Sequence, residues 1–201
     1  MPRKTTQPIE KPGSLPIVEF PQREGWRLWL KKNHADSTGV WLRIGKKSSS
    51  APSLSYAEAL EVALCYGWID GQKRADSEQA WLQKFTPRGK RSIWSKINRD
   101  KAAALVESGQ MQAAGLREME RAKNDGRWKA AYDSARTAQV PEDLQAALDK
   151  NTKALEFFKT LDGANRYAVL FRIQTVKKAE TRVRKIEQYV AMLERGEKIH
   201  P

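Results

Sequence analysis

The sequence predicts an α+β fold: a small N-terminal sheet with packed helices, followed by an all-α C-terminal helical module. Three observations carry this expectation. Short β-branched and aromatic segments with two-residue alternation are confined to the first half of the 201-residue chain. Amphipathic helical stripes are interleaved with them. From Ser92 onward only helical periodicity continues, punctuated by glycine, Asn-Asp-Gly and proline. We expect residues 1–14 to be a disordered tail, 15–133 the α+β domain and 141–198 the helical module. That module is too short to bury much apolar area alone, so it is expected to dock on the first domain.

The elements follow in order. The polar, proline-containing stretch 1–14 lacks periodicity. "LPIVEF" (15–20) reads as a short strand, and "REGWRLWLKK" places Trp26, Trp29 and Leu30 on one helical face. In "TGVWLRIGKK" (38–47), Val40, Leu42 and Ile44 alternate with Trp41 and Arg43, as in a half-buried strand, and "SSSAPS" is a loop. Ser55-Tyr56-Ala57-Glu58 is a capping box that starts a helix, and Gly67 suits the left-handed position after it. Trp68-Ile69 and Trp81–Phe85 form an extended pair, with Asp70-Gly71 read as a turn.

"SKINRDKAAALVESG" is a helix capped by Ser95 or Ser92 and stopped at Gly109. "MQAAGLREMERAKNDG" is another, broken at Asn124-Asp125-Gly126. After the polar connector 133–140, Pro141 opens a helix at its first position. Two further helices are expected. The last, about Lys178 to Arg195, carries Val183, Ile186, Val190 and Leu193 on one face and an exposed Glu180–Arg184 pair.

Composition excludes several classes. Apolar runs reach only a handful of residues, far below the roughly 20 of a membrane helix, so no membrane insertion is expected. The basic N-terminus has no apolar segment of the secretory type after it, and one cysteine cannot build a disulfide framework; both favour a cytoplasmic setting. Two histidines, His34 and His200, without any Cys-x-x-Cys offer no zinc-ligand spacing, so no metal site is expected, nor any cofactor. "PRGKRS" (87–92) lacks the glycine and the hydroxyl residue of a phosphate loop.

The net charge of +13 favours anionic partners, either nucleic acid or a small anion. From Lys84 to Lys101 there are seven cations and one acid. That stretch feeds a helix N-terminus whose amides favour anions. Arg88, Ser92 and Ser95 can bind an anion there and Trp94 can stack on a ring, or the same residues form a basic turn, a cap and a core tryptophan. From Arg166 to Arg195, eight cations and three acids form a second basic area, a solvated face or a phosphate-contacting one.

Two reactive candidates stand out. Asp70, beside Trp68 and Gly71, is either a turn residue or a carboxylate whose pKa neighbouring aromatics raise. Cys65 is either a small buried hydrophobe or a nucleophile needing a cation or base such as His34. The ligand site is therefore expected to comprise Tyr66, Trp68, Asp70, Arg88, Ser92, Trp94 and Ser95. It would serve an anionic or aromatic small molecule, with three uses in view: binding protein, enzyme of unknown reaction through Asp70 or Cys65, or nucleic-acid binder. A protein partner is a further alternative.

Several strings together resemble the bacterial YdeI/OmpD-associated, bacteriocin-protection family. They are "GVWLRIGKK", "YAEALEVALCYGWIDGQ", "FTPRGKRSIWSKIN", "GRWKAAY" and "AETRVRKIEQYVAML", running from about Trp26 to Gly196. Phe171-Arg172-Ile173 departs from a more tryptophan-bearing version of the last module. The resemblance implies no reaction and no catalytic residue. With the cytoplasmic expectation above, it implies a protective role that is indirect.

Overall fold

A computed structural model describes residues 15–49 and 52–201. The tail expected at 1–14 lies outside the described residues, as does the middle of the 48–53 loop. The chain divides into two compact units. The first takes in the described residues up to Ser92 together with Asp100–Asp125; the second comprises Ile93–Arg99 and Gly126–Pro201.

The first unit is built as strand β1 (Ile17–Glu19), helix α1 (Arg23–Asn33), strand β2 (Val40–Gly45), helix α2 (Tyr56–Cys65), strands β3 (Trp68–Ala75) and β4 (Ala80–Pro87), most of helix α3 (Lys96–Glu107) and helix α4 (Ala113–Asn124). The sheet order is β1-β2-β4-β3, with β1 parallel to β2 and the other pairs antiparallel. Alternation along β2 buries Val40, Leu42 and Ile44, as its sequence pattern requires. On the same face Trp26 and Trp68 meet edge-on at 6.3 Å, and Trp26 lies 5.7 Å from Phe85. Trp26 is fully buried, and its indole N–H donates to the Ala59 carbonyl at 3.0 Å, which ties α1 to α2.

The capping box at α2 forms: Ser55 Oγ accepts from the Glu58 amide, and the Glu58 carboxylate accepts from the Ser55 amide. The chain leaves α2 through Gly67 at φ +72. A turn at Asp70-Gly71 does not form. Asp70 lies within β3 opposite Phe85, and the register shifts between Asp70 and Lys73 as a bulge. Buried Gln83 explains it, because its amide donates to the Gly71, Gln72 and Lys84 carbonyls and satisfies groups the ladder leaves over. The hairpin reverses instead at Asp76–Gln79, where Ser77 Oγ accepts from the Gln79 and Ala80 amides.

The second unit contains the start of α3, then α5 (Glu142–Asp149), α6 (Thr152–Thr160), α7 (Gly163–Gln174) and α8 (Ala179–Glu194). Leu144, Leu148, Phe158, Val169, Leu170, Ile173, Ile186 and Leu193 form its core. Where two helices are expected beyond α5, three form. Asp162 caps α7 by accepting from the Asn165 amide, so the chain breaks after Thr160. Pro141 stands one position earlier than expected, at the N-cap of α5. Val183 is exposed rather than part of the α8 core face; Tyr189 joins Ile186 and Leu193 there.

Asp133 fastens the 133–140 connector. Its carboxylate pairs with Lys96 Nζ at 2.7 Å and accepts from Gln174 Nε2 at 2.8 Å. The Lys96 bond, foremost, holds its pKa below the ordinary 3.8. A carboxylate with a lowered folded pKa contributes stability above its unfolded pKa and loses it as pH falls through the folded value. The second unit is therefore expected to weaken on acidification below about pH 4, with Asp133→Asn flattening that dependence and costing about 1 kcal/mol at neutral pH. Urea midpoints of the two proteins between pH 3 and 7, followed by amide exchange in α7, check this. Parallel pH profiles would refute it.

Candidate functional site

The C-terminal turn of α2 and the N-terminal half of α1 enclose a cavity of about 150 Å³ lined by Arg23, Arg27, Val62, Cys65, Tyr66, Gln110 and Gln112. Each wall has a local cause. Arg23 and Arg27 lie one turn apart on the polar side of α1, whose other side carries the buried Trp26 and Leu30. The connection from α3 to α4 is held against α2 by the Gln112 amide, which donates to the Cys65 carbonyl at 3.2 Å.

The electrostatics are specific. Arg23 Nη2 donates to Gln110 Oε1 at 2.8 Å, and Nη1 reaches Glu61 at 3.4 Å. Glu61 also pairs with Lys101 at 3.3 Å. Arg27 makes a two-pronged pair with Glu24 at 2.8 and 2.6 Å. Arg27 lowers the Glu24 pKa through that bond, and its own guanidinium is held still more firmly in the charged form. Arg23 also acts on the Glu58 carboxylate and Lys31 on that of Glu24, so the cations here belong to a network of ion pairs.

Tyr66 is 5% exposed. Its ring stands 5.3 Å from that of His34. Its hydroxyl is buried and interacts with the Arg27 guanidinium. Beside it, burial pushes the Cys65 thiol up to about 11, with Arg23 pulling weakly the other way. At neutral pH that sulfur is a protonated thiol with little nucleophilic character.

The other expected site residues are placed as follows. Trp68 is buried, with its indole N–H donating to the His34 carbonyl at 3.1 Å. Asp70 accepts from the Tyr56 hydroxyl at 2.8 Å. Arg88 is 5% exposed; its amide donates to the Gly67 carbonyl, and its own carbonyl accepts from Arg121. Ser92 Oγ accepts from the Gly89 amide and closes a tight turn. β-pairing therefore brings Trp68–Asp70 alongside Phe85–Pro87, but the cavity takes only Tyr66 and Cys65 from the expected set.

Trp94 and Ser95 belong to the second unit. Trp94 is buried edge-on against Trp128 at 4.9 Å, and Ser95 Oγ caps α3 by accepting from the Asn98 amide. In the same unit, Arg182 pairs with both Asp143 oxygens and donates to the Ile173 carbonyl. Among the described residues no group of three or more His, Cys, Asp or Glu is placed to hold a metal ion, and no helix is long and apolar enough to cross a membrane.

Sequence reasoning missed Arg23, Arg27, Gln110 and Gln112. Only the polar face of α1 hinted at the arginines, and nothing local marks the glutamines.

Fold and cavity together define a two-unit protein: an α+β unit with an arginine-lined cavity, and a helical unit. The chain belongs to the family of a domain of unknown function, DUF8412, which matches residues 18–118. Residues 137–196 match the Bacteriocin-protection, YdeI or OmpD-Associated family, which supports the resemblance seen in the sequence. Of the strings that carried it, the three between Gly39 and Asn98 fall within the first match. "AETRVRKIEQYVAML" falls within the second. Comparison with curated proteins and with solved structures returned no match.

Proposed function

We propose that the protein binds a small anionic molecule in the cavity at the end of α2. The observation that supports this is that Arg23 and Arg27 line one small cavity together with Tyr66, Gln110 and Gln112. Guanidinium groups beside hydrogen-bond donors in a partly desolvated site favour an oxyanion. The binding reading is preferred over the enzyme reading because Cys65 is held as a thiol and Asp70 is not among the residues lining the cavity. A cytoplasmic setting and an indirect role in protection belong to the same proposal.

The test is a thermal-shift and titration panel of small anions on the full chain. At least one anion is expected to raise the melting temperature, with Arg27→Gln binding it about tenfold more weakly. Silence across the panel, or full binding by Arg27→Gln, overturns the proposal.

A second reading, binding of single-stranded nucleic acid, draws on the sheet face opposite the aromatic core. There Arg74 stacks on half-buried Trp41 at 4.5 Å, and Lys84 stands directly across from Trp41. An aromatic ring flanked by cations is a stacking platform for bases. This reading requires oligonucleotide affinity that falls steeply with salt and is lost in Trp41→Ala.

A further inference from the structure

The sheet face that supports the nucleic-acid reading has two unequal ends. Alternation puts Trp41 and Arg43 of β2, Leu82 and Lys84 of β4, and Arg74 of β3 on that face. Trp41 stands across from Lys84, and Leu82 lies between Arg43 and Arg74. Because β4 separates β2 from β3, Arg74 reaches the Trp41 ring only by laying its side chain across β4. Leu82, on the strand it crosses, is 1% exposed although it belongs to the outer face. The Arg74 guanidinium is thereby held 4.5 Å from the indole centre, over the middle of the sheet.

The cations of this face are not equivalent. Arg43 is clamped: Nε and Nη2 donate to the two Asp76 oxygens at 2.9 and 3.5 Å, and Nη1 donates to Glu19 at 3.2 Å. Glu19 stands beside Arg43 in the β1–β2 register, and Asp76 follows the end of β3, so two elements converge on one guanidinium. Arg74 and Lys84, in contrast, form no ion pair with any described residue. A guanidinium already opposed by two carboxylates offers little to a phosphate, whereas a lysine and a stacked arginine without acids remain available to one.

We propose that a single nucleic-acid strand crosses this face at the Trp41 end, and that Glu19 and Asp76 mask Arg43 from it. One base lies on the Trp41–Arg74 stack, and the phosphates flanking that base meet Arg74 and Lys84. This rests on the nucleic-acid reading above and gives it a footprint of one stacked base and two phosphate contacts. The stack accepts any base, since each has a flat face, so the strand is held by charge and shape and not by sequence.

The test is fluorescence-anisotropy titration of the full chain with a labelled short oligothymidylate over a range of salt concentrations. A glutamate peptide of equal charge, which has no bases, and a duplex of equal length serve as comparisons. Arg74→Gln and Lys84→Gln are each expected to weaken binding and to flatten the slope of log affinity against log salt by about 0.7, the share of one phosphate contact on a single strand. Trp41→Ala should lose about tenfold or more in affinity, and Trp41→Phe much less. Glu19→Gln combined with Asp76→Asn should act the other way: it releases Arg43, tightens binding several-fold and steepens the slope by about 0.7. Glu78→Gln removes an exposed acid of the same hairpin turn that pairs with no described cation, and should leave the slope as it is. A double variant that differs from the parent no more than Glu78→Gln does would overturn the masking of Arg43 and leave the nucleic-acid reading standing. No binding of the oligothymidylate would overturn both. Equal binding of the peptide or the duplex, or binding that Trp41→Ala leaves unchanged, would overturn both as well.

Discussion

Trp26→Ala is expected to cost the first unit about 3–5 kcal/mol, the range for emptying a buried tryptophan site. The indole is fully buried and stacks on Trp29 at 5.4 Å, with Phe20, Trp68 and Phe85 within 6.3 Å of it. Its ring contacts and hydrogen bond link α1 to α2, β3 and β4. Its N–H bond to Ala59 contributes about 1 kcal/mol of the total. Trp26→Phe, which keeps much of the ring but not the donor, should therefore cost roughly half as much or less. Against a typical domain stability of about 5–15 kcal/mol, the alanine variant loses a large share of its margin. Amide exchange in β2 and β4 under mild urea reads this unit by itself. A loss below about 1.5 kcal/mol in Trp26→Ala would mean that the aromatic cluster closes over the gap, and that Trp26 is not its hub.

The parts of this fold that the sequence reveals are those with local causes. Ser55 and Glu58, three residues apart, start α2 by satisfying each other's amides. Gly67, Gly109 and Gly126 adopt positive φ at or just beyond helix ends, where a left-handed residue is needed. The insertion of β4 between β2 and β3 has no such marker, because it is decided by which apolar faces meet after the chain collapses. Asp70-Gly71 misleads for the same reason. The dipeptide is a good turn by local chemistry, but Gln83 on the neighbouring strand offers its amide to that backbone and holds it as a bulge. The real turn, Asp76–Gln79, contains no glycine and relies on Ser77.

The cavity was legible only at its centre. Tyr66 and Cys65 drew attention because they sit at a helix end between apolar residues and glycine. Counting charges pointed instead to Lys84–Lys101. Folding spends several of those cations within the protein: Lys101 faces Glu61, Lys96 faces Asp133, and Arg88 is buried. A linear count cannot separate a cation that faces solvent from one already held by a carboxylate. The arginines that line the cavity lie some forty residues earlier on a helix whose polar face looks ordinary, and Gln110 and Gln112 arrive from a connection nearly fifty residues later. Only tertiary structure joins the three segments.

Gly115→Ala should destabilise the first unit by about 1–3 kcal/mol, although alanine is the better helix former by about 1 kcal/mol. Gly115 lies in α4 where that helix crosses the last turn of α2. A methyl group there would come within 2.5 Å of the Cys65 carbonyl oxygen and 2.8 Å of the Leu64 carbonyl oxygen, and closer still to Met111 Sδ. The methionine can swing aside, but the two carbonyls are fixed in a helix, so α4 must lift. The Gln112 amide, bound to the Cys65 carbonyl, lifts with it and widens the cavity. Anion affinity should accordingly fall together with stability. Gly163→Ala, at the exposed start of α7, meets nothing within 4 Å and should instead gain up to about 1 kcal/mol in the second unit. One chemical change thus has opposite signs at two helical glycines. Urea midpoints read through amides of each unit, with a parallel anion titration, measure both. A Gly115→Ala protein as stable as its parent would show that α2 and α4 do not meet as closely as these distances require.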